Sequence, residues 1–419
     1  MKNLILIACL VLTFSCETRQ KTSKNYQKVN SQENLKKPYV LMISLDGYRY
    51  DYTKMYQPKN LSKFKSEGTY SKGLIPIFPS KTFPNHYSIV TGMRANKHGI
   101  VANSFWDTKR EALYKLGDST TTQDGSWYQG TPLWIAAENQ GMVSASFFWV
   151  GSDADIQGKH PTYYYDYDGR ISHEQRVDQV VDWFKMPEAK RPHLVTLYFS
   201  DVDSAGHKYG PESKEVKNAV EKVDQTLGNL FNRLKELDIP LNIFVMSDHG
   251  MEPIQEGKNV FLSDYIDIND PRIKIVGRGS HSIIYVENNN RKLINELYRK
   301  LRKSQHMRVL KTKRLGRRYG YNKSSRTGDL VLDMEAGYYM YHTKPVGKAL
   351  SSGGTHGYDP ALVKNMRGIF YAKGPNIKSL GEIKSFENIH IYPMIMKLLD
   401  LKITERIDGK KRVLRKILK

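Results

Sequence analysis

Continuous apolar runs that stop abruptly at polar residues restrict the fold of this 419-residue chain more than any other feature. They cover residues 39–45, 193–199, 242–246 and 368–371, and they are rich in Val, Ile, Leu and Phe. A strand that meets solvent on one face alternates apolar and polar residues, whereas an unbroken run suits a strand covered on both faces of a parallel sheet. Helical patterns lie between the runs. Val216, Ala219, Val220, Val223, Leu227, Leu230, Phe231 and Leu234 form a stripe at helical spacing, interrupted only by Gly228. Ser172 with Gln175 has the form of a capping box, and Pro132 suits the first turn of a helix through Ala137. Strands alternating with helices predict a layered α/β fold, a mostly parallel central sheet with helices on both sides.

In such sheets chemistry is done beyond the carboxyl ends of the strands. Asp46 follows the first run, Asp201 and Asp203 follow the second, and Asp248-His249 follow the third. From about residue 253 to 342 a basic, helix-like stretch interrupts the pattern and reads as a small inserted subdomain. The catalytic body is then expected over 38–401, with a basic tail at 402–419.

Met1-Lys2-Asn3 followed by apolar residues 4–14 has the charged start and short apolar stretch of a secretory signal, too short to span a bilayer. The chain's two cysteines, Cys9 and Cys16, lie in or just after this run, so the mature body is expected to lack a disulfide. Ser15-Cys16 resembles a loose bacterial lipobox, which would make residues 1–15 a signal and Cys16 a lipidated first residue; an ordinary cleaved signal is the alternative. Residues 16–37 are polar and aperiodic, as a flexible tether would be. The expected location is the periplasm or cell envelope of a bacterium. The formal charge is +22, and much of it falls in residues 291–326 and 402–419. Lys311-Thr312-Lys313-Arg314 could contact nucleic acid, but no nucleic-acid-binding motif accompanies it. A solvated surface that steers anions is the simpler reading, with no specific nucleic-acid partner.

Asp46, Asp203, His207, Asp248, His249 and His356 supply three carboxylates and three imidazoles, a mixture that suits zinc better than magnesium or calcium. Thr82 lies at or just before the start of a helix that Pro84 could open and Gly92 close. Coordination to a dication would make its alkoxide a nucleophile; without metal it would be an ordinary N-cap.

The ordered set Leu45-Asp46-Gly47, Lys81-Thr82-Phe83-Pro84-Asn85-His86, His98-Gly99-Ile100 with Asn103, Asp203 through His207, Asp248-His249-Gly250 and Gly354-Thr355-His356-Gly357 resembles the nucleotide pyrophosphatase/phosphodiesterase family of the alkaline phosphatase superfamily. The resemblance implies an alkaline-phosphatase-like fold and two Zn2+ per chain. Asp46, Thr82, Asp248 and His249 would hold one ion, and Asp203, His207 and His356 the other. Thr82 would attack phosphorus and form a covalent intermediate. Asn103 and a backbone N–H near Thr82 would donate to phosphate oxygens, and Lys81, Phe83 and Tyr167 would bind substrate. Phe83 and Tyr167 match residues that sandwich the base in nucleotide-cleaving relatives. The chain also keeps residues 150–169, which lysophospholipid-cleaving relatives lack, so the expected substrates are nucleotides and other small phosphodiesters. His86, His98, His160 and Asp201 are expected to be structural. A phosphomonoesterase or a lipid or choline head-group phosphodiesterase would use the same core. An inert basic surface-binding protein is the reading from another class.

Overall fold

The computed structural model describes residues 20–22, 29–347 and 349–419; the leader, Cys16 and the lipobox lie outside them. A nine-stranded sheet runs in the order Lys21–Thr22, Tyr163–Tyr164, Ser144–Phe147, Leu194–Phe199, Tyr39–Leu45, Leu241–Met246, Phe370–Lys373, Thr69–Ser71, Gly381–Ile383. The five strands from Tyr163–Tyr164 to Leu241–Met246 are parallel, and Phe370–Lys373 joins them antiparallel. The strand expected at 368–371 therefore starts two residues later and runs the opposite way, because an apolar run carries no signal of direction.

All seven residues of Tyr39–Leu45 are buried. Val40 and Met42 enter one core, while Tyr39, Leu41, Ile43 and Leu45 enter the other, so the sheet has a covered layer on each face. Helix Lys214–Lys235 buries Val216, Val220, Val223, Leu227, Leu230 and Leu234 on one side, next to helix His173–Lys185, whose Ser172 and Gln175 form the reciprocal cap. Gly228 interrupts that stripe for a steric reason: a Cβ there would lie 2.5 Å from the Asn60 amide. On the opposite side sit helices Thr82–Thr91, Leu133–Glu138 and Ile391–Leu398.

Within 253–342 the chain builds a four-stranded antiparallel sheet in the order Ile273–Val276, His281–Val286, Leu330–Met334, Met307–Lys311. One face, with Ile283, Tyr285 and Val331, packs into the main core, and the other, with Ile284, Leu330 and Leu332, packs with Leu293, Leu297 and Leu301 of helix Arg291–Leu301. Hairpin Ser104–Asp107/Ala112–Lys115 lies beside it.

Both terminal segments are more firmly docked than their polar composition suggests. Asn30 donates to the carbonyls of Glu188 and Arg191 and accepts from Val143 N–H, so the stretch around it is held on the body and is not part of a tether. Lys21–Thr22 pairs with Tyr163–Tyr164. In the basic tail, Leu414 and Ile417 are buried in the main core. Among the described residues no helix is long and apolar enough to cross a membrane.

Candidate active site

Three neighbouring parallel strands deliver the acidic residues to one end of the sheet. Asp46 follows Tyr39–Leu45, Asp248 and His249 follow Leu241–Met246, and Asp203 and His207 stand four residues apart in helix Asp201–Tyr209 just after Leu194–Phe199. That spacing puts the last two on one helix face. Thr82 begins helix Thr82–Thr91, whose N-cap is Lys81 and whose C-cap Gly92 has φ of 66°. His356 follows the short strand Gly354–Thr355. Gly47 (φ +66°) is required where it stands, since a Cβ would lie 2.8 Å from the Asp203 backbone.

The side chains converge. Thr82 Oγ1 is 3.2 Å from His249 Nε2, which is 3.0 Å from Asp248 and 3.5 Å from Asp46. Asp203 lies 3.5 Å from His207 and 3.8 Å from His356. The His249 and His356 rings stack at 3.6 Å. All six expected ligands and Thr82 thus share one space, and Asp203-His207-His356 and Asp46-Asp203-His249 each bring three ligand atoms within 4.8 Å of one another.

Two features of this space fit metal ions. His207, His249 and His356 each direct Nδ1 to a backbone carbonyl, of Gly354, Gly250 and Ser80 respectively, at 2.9 Å. A carbonyl only accepts, so Nδ1 carries the proton and the Nε2 lone pair faces the centre. In addition, Asp46 Oδ1, Asp203 Oδ1 and Asp248 Oδ2 are buried and find no hydrogen-bond partner among the described residues. Buried carboxylate oxygens in that state are costly unless a cation meets them.

The electrostatics agree. Burial, reinforced by the carboxylates of Asp248 and Asp203, pushes the Asp46 carboxyl well above its usual range. Burial also acts upward on Asp248, but the His249 and His86 imidazoles hold it well below the carboxylate range. For His249, burial works downward and the Asp248 carboxylate overcomes it, raising the imidazole. His356 is held low by burial and by neighbouring His249. Three acids this close cannot all be charged without a compensating cation.

Around this centre, Asn103 Oδ1 accepts the Phe83 N–H at 2.9 Å, which leaves its amide nitrogen as a donor. The Phe83 N–H is thereby occupied. Lys81 Nζ donates to the His356 carbonyl at 2.5 Å. Phe83 packs edge-on to Tyr114. Tyr167, 56% exposed, lies edge-on to Tyr198 and Phe148. His86 bonds Ser44 and the Thr82 carbonyl; His98 bonds Ser88; His160 stacks on Tyr164; Asp201 pairs with His173 and Lys222. Reasoning from sequence missed Tyr198, whose hydroxyl donates to Asp46 Oδ2 at 2.6 Å, and Ser80, which accepts from Gly357 N–H and donates to the Tyr358 carbonyl.

Residues 40–359 match the family described as type I phosphodiesterase / nucleotide pyrophosphatase. The chain belongs to this family. Over 376 residues it is 36% identical to ectonucleotide pyrophosphatase/phosphodiesterase family member 1 of Mus musculus, covering 87% of this chain and 41% of that protein. Over 373 residues it is 34% identical to the venom phosphodiesterase CdcPDE of Crotalus durissus collilineatus, covering 87% and 44%. It therefore spans about two fifths of the length of these curated family members. A solved structure of murine ectonucleotide pyrophosphatase/phosphodiesterase 5, in an inactive threonine-to-alanine form in complex with AMP, is similar with a TM-score of 0.84 and 27% identity. That likeness covers 91% of this chain and all of the other. The family fold is thus alkaline-phosphatase-like, as the order of motifs implied.

Proposed function

We propose that the chain hydrolyses phosphodiester or pyrophosphate bonds of nucleotides and their derivatives, with Thr82 as nucleophile and two Zn2+ as cofactors. The observation that carries this reading is the set of three buried carboxylate oxygens without a partner among the described residues and three Nε2 atoms, with the Thr82 hydroxyl beside His249. Asp46, Thr82, Asp248 and His249 would hold one ion and Asp203, His207 and His356 the other. When bound, such ions would polarise the phosphoryl oxygens and lower the pKa of the attacking and leaving oxygens.

The residues divide the remaining work. Thr82 Oγ is carried at a helix N-terminus, where backbone dipoles favour an anionic oxygen. As its bond to phosphorus forms, the bond to the leaving oxygen breaks; a water oxygen then displaces Thr82 and restores its hydroxyl. The Asn103 amide, oriented by the Phe83 N–H, is a preorganised donor to an equatorial phosphate oxygen. Phe83 and Tyr167 offer aromatic faces on which a base would stack with little discrimination. Lys81, whose ammonium has three donors and gives one to the His356 carbonyl, would bind a substrate oxygen while bracing the His356 loop.

The test is Thr82→Ala, assayed on a nitrophenyl ester of a nucleoside monophosphate and on nitrophenyl phosphate, with metal content measured in parallel. Turnover of the diester is expected to vanish while metal stays near two ions per chain. Retained turnover would show that water attacks first, and a strong wild-type preference for the monoester would overturn the substrate class. We place this activity in the cell envelope with Cys16 lipidated; Cys16→Ala should then abolish incorporation of labelled lipid, and unchanged incorporation would refute the anchor.

A further inference from the structure

Between the inserted sheet, the Ser104–Asp107 hairpin and the segment 322–329 lies a cleft of about 760 Å3, lined in part by Trp106, Arg272, Lys274, Asn289 and Lys323. It shares Asn289, Lys323 and Asp329 with a second cavity of about 350 Å3, to which Arg291, Lys311, Lys313 and Arg314 contribute. Together the two form one groove with seven cationic side chains against three carboxylates. Asp329 is already neutralised by Lys323 at 2.6 Å, and Arg272 is paired with Asp270. Lys313 and Arg314 are exposed. The basic run that reads in sequence as a solvated surface thus lines a concavity.

The groove also has an aromatic wall. Trp106 is half-buried, its backbone N–H donates to the Tyr285 hydroxyl at 3.1 Å, and Lys274 Nζ lies 3.3 Å from its ring centroid. Trp106 belongs to the strand that begins just after Asn103, and at a strand rise of ~3.3 Å per residue the backbones of the two residues lie roughly 10 Å apart. A flat anionic membrane would not enter a concavity, and a purely ionic polymer would gain nothing from an indole. A ligand with phosphates at intervals and flat apolar rings between them uses both features.

We infer that this groove binds single-stranded nucleic acid, with a base against Trp106 and phosphates along Lys311, Lys313 and Arg314. It holds the distal part of a strand whose terminal phosphodiester reaches Thr82; this second statement rests on the function proposed above, whereas binding in the groove does not.

Binding is measured first, by fluorescence anisotropy of a labelled oligothymidylate on Thr82→Ala protein, so that turnover does not enter. In that background, Lys313→Glu with Arg314→Glu should raise Kd about tenfold and flatten its salt dependence. Trp106→Ala should also raise it about tenfold; Lys274→Glu, at an exposed site facing the same ring, gives the same readout if Trp106→Ala fails to fold. Unchanged oligonucleotide binding in the charge-reversed protein overturns the groove. So does a Trp106→Ala or Lys274→Glu effect confined to anionic phospholipid vesicles or inorganic polyphosphate. In catalytically intact protein, the charge reversal should raise KM for the oligonucleotide about tenfold and leave hydrolysis of the nucleotide nitrophenyl ester within about twofold. Parallel changes on both substrates would refute the link to Thr82. If wild-type protein cleaves neither substrate yet binds the oligonucleotide in a Trp106-dependent way, the groove stands and the proposed function falls.

Discussion

Replacing Tyr198 with phenylalanine isolates one atom of the candidate centre. The hydroxyl donates to Asp46 Oδ2 at 2.6 Å, while Asp46 Oδ1 finds no partner among the described residues and faces the other candidate ligands. One oxygen of this carboxylate is therefore held by protein, and the other is open to the cation of the proposed centre. Without the hydroxyl, Oδ2 is buried and unpaired and the carboxylate can rotate. A hydrogen bond to a charged group contributes about 1.5–3 kcal/mol. Loss of an orienting partner to a metal ligand costs about 10–100-fold in affinity, which at about 1.4 kcal/mol per decade is the same range. A zinc titration against a competing chelator should therefore show one binding midpoint weakened about 10–100-fold in Tyr198→Phe. Activity at saturating zinc should return to within a few-fold of wild type. The Tyr167 edge contact is to the Tyr198 ring, which phenylalanine keeps, so KM for a nucleotide should not move. An unchanged zinc midpoint, or an activity loss that zinc does not restore, would refute the reasoning.

Phe83→Ala and Tyr167→Ala should each raise KM for a nucleotide substrate more than for a small nitrophenyl diester, by about tenfold relative to it; equal effects on both would argue against stacking. His98 gives a pH test. It is buried, its Nδ1 accepts the Ile100 N–H, and its Nε2 faces Ser88 Oγ, which spends its own proton on the Met93 carbonyl. Burial lowers its pKa from 6.5 to about 3. Between those values the unfolded chain takes a proton that the folded one refuses. This contribution is therefore complete above pH 6.5 and is lost as the pH falls, at about 1.4 kcal/mol per unit. In denaturant unfolding, His98→Gln should lessen the stability lost between pH 6.5 and 5 by about 2 kcal/mol, and identical losses would exclude this role.

How much of this could be read beforehand follows from where each signal resides. Tyr39–Leu45, Leu194–Phe199 and Leu241–Met246 were legible because strands covered on both faces need unbroken apolar runs. Ser144–Phe147 was not. Its Ser144 and Ser146 are buried, but Glu138 and Thr196 satisfy their hydroxyls through contacts that no local pattern encodes. In the same way the metal-ligand candidates announce themselves by chemistry at strand ends, whereas Tyr198 reads as one more apolar strand residue. Its position depends on the parallel register that sets Ser44 opposite Tyr198, one residue before the strand end that leads into Asp46. In the tail, Leu414 and Ile417 are too sparse among basic residues to signal the core they enter.

The inserted sheet also bears on the centre. Ser280, next to strand His281–Val286, donates to the His356 carbonyl at 2.6 Å, the same oxygen that receives Lys81. Arg308 reaches Asp359 at 2.9 Å and Asp333 at 3.0 Å, and Asp359 N–H returns to Asp333, so the loop carrying His356 is fastened to two inserted strands. A third attachment, Arg326, donates to Asp107 and to the carbonyls of Gly99 and Trp127, just beyond the turn that carries Asn103. The loop carrying His356 and the strand after Asn103, which come from distant parts of the chain, are thus held by residues of one stretch, 280–333. Such a centre needs side chains fixed to within about half an ångström, and rigid neighbours rather than the loops themselves provide that. The basic groove opens on the same stretch, so the residues that fix the His356 loop adjoin the surface proposed for a nucleic-acid strand.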